Sequence, residues 1–160
     1  MKVSQRDLGQ FLIKPQPHIR VILVHGQDIG LVHERIQKIA SNIVDDLADP
    51  FRVSELTGKQ IRDDPAKLID EAMAHSLGGG QRVIFVRLGT ENISDSLMNL
   101  LEEQGTDTLV LLEAGILTNA SPVRKLLEKE DQAAVVACYR DNQASLNSLI
   151  SEMFEQTSLR

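Results

Sequence analysis

Five short apolar runs constrain this chain more than any other feature. They are Val21-Ile22-Leu23-Val24, Phe51-Arg52-Val53, Val83-Ile84-Phe85-Val86, Leu109-Val110-Leu111-Leu112 and Ala133-Ala134-Val135-Val136-Ala137. Four of them are continuous. A strand with one face in water alternates apolar and polar residues, whereas a continuously apolar strand must be covered on both faces, as in a parallel sheet. The Phe51 run is broken by Arg52 and reads as the weakest, suited to a sheet edge.

Helical spacing fills the intervals. Ile29, Val32, Ile36, Ile39, Ile43 and Leu47 step by three or four, one face of a helix of about five turns, with Asp28 placed to cap it. Asp64-Pro65 offers an N-cap and a first-turn proline ahead of Leu68, Ile69, Ala72 and Met73. Ile93, Leu97, Leu100 and Leu101 form another apolar stripe, and Ser121-Pro122 opens a further helix through Leu126 and Leu127. Strand alternating with helix in this way predicts an α/β fold with a five-stranded parallel sheet and helices on both faces. Before the first strand, Asp7, Leu8, Phe11 and Leu12 suggest a short helix that Pro15 and Pro17 end. After the last strand, Asp141-Asn142-Gln143 breaks the pattern. Leu146, Leu149, Ile150, Met153 and Phe154 then form an amphipathic stretch, which either docks on the sheet or opens a second domain.

Charge and composition narrow the function. Seventeen Lys+Arg against twenty-three Asp+Glu leave a net charge of −6, which disfavours tight duplex binding by this chain alone. Aromatic residues are only 3%, too few for a reader that stacks single-stranded bases. An acidic surface suits a protein partner or plain solubility. The lone cysteine, Cys138, excludes an internal disulfide and any Cys-based zinc cluster, and reads as a core thiol. The first residues lack the apolar run of a signal peptide, and no run approaches the roughly 18 residues of a membrane span. The chain reads as cytoplasmic, without membrane contact.

The loop after the first strand is where an α/β nucleotide-binding protein holds phosphate. It reads Gly26-Gln27-Asp28-Ile29-Gly30-Leu31-Val32-His33. A phosphate loop needs G-x-x-x-x-G-K-[ST], and those last three places hold Leu31, Val32 and His33. Lysine and hydroxyl are both missing, and Asp28 repels a phosphate. The loop is expected to be kept for its turn geometry, not for ATP. Arg87 and Leu88 follow the third strand, and the fourth ends in a lone Glu113, too little for a Mg²⁺-nucleotide site. His18, His25, His33 and His75 show no metal-ligand spacing. No catalytic constellation, metal site or cofactor is expected. Gly78-Gly79-Gly80 follows a helix and precedes a strand, the wrong order for a phosphate cradle. It reads either as a helix C-cap or as a flexible tip presenting His75, Ser76 and Leu77.

The ordered series of stretches resembles the delta-subunit family of bacterial DNA polymerase III. The stretches are RVILVHGQDIGLVHERI from Arg20, DPFRVSEL at 49–56, DDPAKLIDEAMAHSLGGGQRVIFVR at 63–87, LVLLEAGILTNASPVRKLLE at 109–128 and AAVVACYRD at 133–141. The resemblance implies a P-loop NTPase/AAA+-like fold with a lapsed Walker A loop at Gly26, Gln27, Asp28 and Gly30. It implies an AAA+-like domain over 1–140 and, at 141–160, the first helix of a truncated lid domain. It also implies a non-catalytic role, in which the subunit binds the beta sliding clamp and opens the ring for loading onto DNA.

In that family a hydrophobic tip ends the helix before the third strand, often as Ser-Leu-Phe. Here the place reads Ser76-Leu77-Gly78, so the implied clamp-binding residues are Met73, His75, Ser76, Leu77 and Gly78. Leu77 matches and the Phe does not. Either a broader surface backs Leu77, or His75 and Met73 help fill the pocket; the plainer alternative makes Leu77 a core residue at the helix end. Other clamp-loader subunits (gamma/tau and delta prime) are implied as partners mainly through a C-terminal domain absent from this chain, and DNA only in the full assembly. Two other readings stay open: an atypical P-loop NTPase, and an α/β scaffold domain of another complex.

Overall fold

The structure, a computed structural model, describes residues 1–74 and 80–138. Five strands form one parallel sheet: β1 (Val21–Gly26), β2 (Val53–Thr57), β3 (Val83–Leu88), β4 (Leu109–Ala114) and β5 (Ala133–Cys138). Their order is β2-β3-β4-β1-β5. Among the described residues, six helices complete it: α1 (Gln5–Ile13), α2 (Ile29–Ser41), α3 (Gly58–Asp63), α4 (Lys67–Met73), α5 (Ser94–Glu102) and α6 (Pro122–Lys129).

The continuous apolar runs do what they predict. Along β1, Val21 and Leu23 enter one core with α3, α4, α5 and α6, while Ile22 and Val24 enter the other with α1 and α2. Each strand side chain alternates faces, so a run apolar at every position supplies both cores. Fully burying each of these side chains contributes roughly 1.5–3 kcal/mol.

Three local expectations need correction. The second strand begins at Val53, and Phe51 lies outside it. The Asp49 carboxylate accepts from the Phe51 N–H (2.9 Å), and the Asp49 carbonyl accepts from Arg52 (3.2 Å) and Val53 (3.0 Å), so residues 49–52 form a turn. The strand itself lies at the sheet edge, as its weak pattern suggests. Helix α2 stops at Ser41, short of Leu47; Asn42 ends it and donates through its side chain to Leu12 O (3.3 Å). Ile43 and Leu47 still pack on the core, but from the chain beyond the helix.

Third, Asp64 caps no helix N-terminus. It closes α3, a helix the apolar spacing does not reveal, and α4 starts at Lys67 without a side-chain cap. Pro65 disfavours helical backbone at Asp64 and so separates the two helices. The signal for α3 was the capping box Thr57-x-x-Gln60, in which both reciprocal bonds form. The expected caps at Asp28 and Ser121 do form. Residues 141–160, the expected lid helix, lie outside the described residues.

Within β1, His25 is 3% exposed and its Nε2 has no partner. Burial, assisted by Arg124 and opposed by Glu128, lowers its pKa to about 4. The folded protein therefore holds this imidazole neutral, while the unfolded chain protonates near pH 6.5. Stability from His25 is complete above about pH 6.5 and is lost as pH falls toward 4, by about 3 kcal/mol in all. Urea titrations of wild type and His25→Leu across that window are expected to diverge by this amount. Parallel curves contradict the assignment.

Candidate functional site

All strands are parallel, so the loops gather at two opposite edges of the sheet. The C-terminal edge carries the loop after β1, where the lapsed phosphate loop was expected. Gly26 ends β1 beside its register partner Cys138, and a Cβ there would lie 2.2 Å from the Cys138 carbonyl oxygen. Only glycine allows this approach, which keeps the tight turn. Gln27 is exposed. Asp28 caps α2, accepting from the Leu31 N–H at 3.1 Å, and Gly30 lies in the first turn beside it. The chain's own carboxylate thus sits at the helix terminus where an anion would otherwise bind.

The rest of this edge is also internally engaged. His33 Nδ1 lies 3.2 Å from both oxygens of Glu113. Arg87 and Glu113 are register partners on β3 and β4. The cavity they line with Glu55, Thr57 and Gln60 holds about 230 Å³, below the roughly 300–1,000 Å³ of ligand pockets. Behind the loop, burial pushes the Cys138 thiol pKa up, while Arg35 donates to its sulfur at 3.2 Å. This is a core thiol. Among the described residues, no group of three His, Cys, Asp or Glu is arranged to hold a metal.

The N-terminal edge carries the end of α4. Met73 is its last residue and is 38% exposed; Ala74 turns the chain out of the helix into extended backbone. His75, Ser76, Leu77 and Gly78 lie outside the described residues. The chain returns at Gly80, whose φ of +92° requires glycine. The helix is closed at Ala74, so Gly80 is not its cap.

Residues distant in sequence fix this helix end. A helix leaves its last carbonyls without intrahelical donors. Here the Arg82 Nη1 donates to Glu71 O (2.5 Å) and Ala74 O (3.3 Å). Its Nε donates to Phe51 O (3.0 Å), and its Nη2 to Ser54 Oγ (2.7 Å) and Glu71 Oε2 (3.4 Å). The five N–H donors of a guanidinium are thereby used. Thr106 and Thr108 donate their hydroxyls to Ala72 O at 2.5 and 2.9 Å. Arg52 lies against Gly80 and donates to Gln81 O and Ile43 O. Sequence reasoning missed Arg82, Arg52, Thr106 and Thr108. Their partners lie up to 36 residues away, and no local pattern announces them.

Residues 22–139 match the family model for DNA polymerase III, delta subunit. Among solved structures, the chain is similar to the DNA clamp loader delta protein of Bacillus subtilis, at 18% identity and a TM-score of 0.59. That likeness covers 84% of this chain and 42% of the other. It is also similar to a DNA polymerase III gamma subunit-related protein of Thermotoga maritima, at 13% identity and a TM-score of 0.56, covering 86% of this chain and 46% of the other. The chain therefore spans less than half the length of either. No curated protein sequence matches it.

Two outcomes follow from this geometry. Gly26→Ala is expected to destabilise by about 1–3 kcal/mol, because backbone must move to admit the methyl group; urea unfolding measures it. Arg82→Met is expected to lower stability by about 2–4 kcal/mol, since it strips donors from three carbonyls. Hydrogen exchange should accelerate at α4 ahead of the sheet. Unchanged protection there contradicts the role of Arg82.

Proposed function

Because the chain belongs to the DNA polymerase III delta-subunit family, we propose that it binds the beta sliding clamp through the tip after α4 and opens the ring for loading onto DNA. Subunits of this family are non-catalytic components of the clamp loader, and clamp loading is the role that family membership supports. The observation that carries the finer reading is the mounting of α4. Its end is bound at Glu71, Ala72 and Ala74 by Arg82, Thr106 and Thr108, while Met73 stays partly exposed. A rigid helix end suits a wedge, because little ordering entropy is lost when it docks.

In this reading Leu77 is the anchor, flanked by His75, Ser76 and Gly78, with Met73 at its root. Residues 1–140 act as the AAA+-like domain and 141–160 begin a lid domain. Gamma/tau and delta prime subunits join mainly through a C-terminal domain outside this chain, and DNA is met in the full assembly in the cytoplasm. Among the described residues, no helix is long and apolar enough to cross a membrane. The rival reading as an atypical NTPase is disfavoured by Asp28, which caps α2 where a phosphate would bind.

Calorimetric titration of the chain against its cognate clamp tests the proposal. Saturable binding is expected, and Leu77→Ala should weaken it about 10–100-fold, the equivalent of one buried Leu side chain. Binding indifferent to Leu77→Ala moves the contact elsewhere. Saturable ATP binding at micromolar concentration favours the NTPase.

A further inference from the structure

The N-terminal edge of the sheet also holds a cavity of about 670 Å³, inside the roughly 300–1,000 Å³ range of ligand pockets. The loop between α1 and β1 and the chain entering β3, β4 and β5 line it. Pro15 and Pro17 stiffen that loop, and the Ile19 N–H donates to Gln16 O (3.0 Å). Ile19 and Leu109 give it a buried apolar wall. Lys14 and His18 stand exposed on it, and Asp107 is the one acid among its described lining residues. The lining is therefore cationic in a chain whose net charge is −6.

Arg20 is the lining residue that enters β1. Its Nη1 donates to Leu101 O (3.4 Å) and to Glu103 O, the carbonyls at the end of α5. Those bonds fix the plane of the guanidinium. Its Nε and Nη2, the other edge, are buried with no partner in the protein. The nearby Glu103 carboxylate is engaged elsewhere, accepting from the Gly105 N–H at 3.1 Å. Gln132 Oε1 on the same lining is also buried and unpartnered, and Gln132 O accepts from the Arg20 N–H at 2.7 Å. Buried polar groups in native proteins are nearly always bonded, so two neighbouring residues with unmet groups on one cavity point to a ligand.

We propose that this cavity binds a small oxyanion, a phosphate or carboxylate that carries a hydroxyl. The parallel Nε–H and Nη2–H of Arg20 match the two oxygens of such a head group. Gln132 Oε1 accepts from the hydroxyl, and Lys14 and His18 draw the anion to the mouth. Lining side chains that screen these atoms from water turn aside as the head group enters.

Calorimetric titration of the chain with ribose 5-phosphate, citrate and ribose, at matched ionic strength, tests the site. Saturable binding of at least one anion is expected, and none of ribose. Binding of ribose 5-phosphate alone assigns a phosphate head, and of citrate alone a carboxylate. Arg20→Lys keeps the charge but removes the fork, and should weaken binding about tenfold or more. Arg20 also closes α5, so this variant can melt early. Gln132→Met spares those bonds and should weaken binding several-fold, while the Arg20 Nε–H resonance of the wild type should shift with the bound fraction. The site is overturned if neither anion binds below about 10 mM. It is equally overturned if binding is unchanged in Gln132→Met and leaves that resonance unmoved.

Discussion

Burial of one parallel sheet on both faces is the constraint on which the rest of this structure depends. Parallel neighbours cannot be joined by tight hairpins, so each connection must cross the sheet, and here helices make the crossings. Those helices supply the cover that the apolar strands need. What remains for function is the two edges, where chain enters and leaves the strands.

The two edges are built differently. At the C-terminal edge, where open α/β sheets usually hold ligands, charges are answered from within: Asp28 caps α2 and His33 meets Glu113. Close approach of Gly26 to Cys138 requires glycine at the turn after β1. At the N-terminal edge, polar contacts fix the backbone of the Phe51 turn and of the end of α4. Arg82 joins the Phe51 turn, β2 and α4, and a cation there also suits the negative end of the helix. A guanidinium is suited to this node because its five donors radiate in one plane, and lysine would leave carbonyls unanswered.

Much of this was legible in the sequence, for reasons that differ between elements. The strands after Arg20, Arg82 and Thr108 declared themselves because cover on both faces makes each begin with four successive apolar residues. Asp28 and Ser121 declared their helices because capping is a bond within three residues. The second strand was misplaced because Phe51, though apolar, lies half exposed in the turn that Asp49 holds. Helix α2 was read too long because Ile43 and Leu47 keep contact with the core after the helix has ended.

The sequence alone determined the fold class and the cover on both faces of the sheet, since each rests on residue type at short spacing. Tertiary structure alone decided the strand order, the mounting of α4 on Arg82, Thr106 and Thr108, and the exposure of Phe51 beside it. The physical reason is distance along the chain. Apolar periodicity and helix caps are local, whereas a buried arginine takes whichever carbonyls the finished sheet brings within reach.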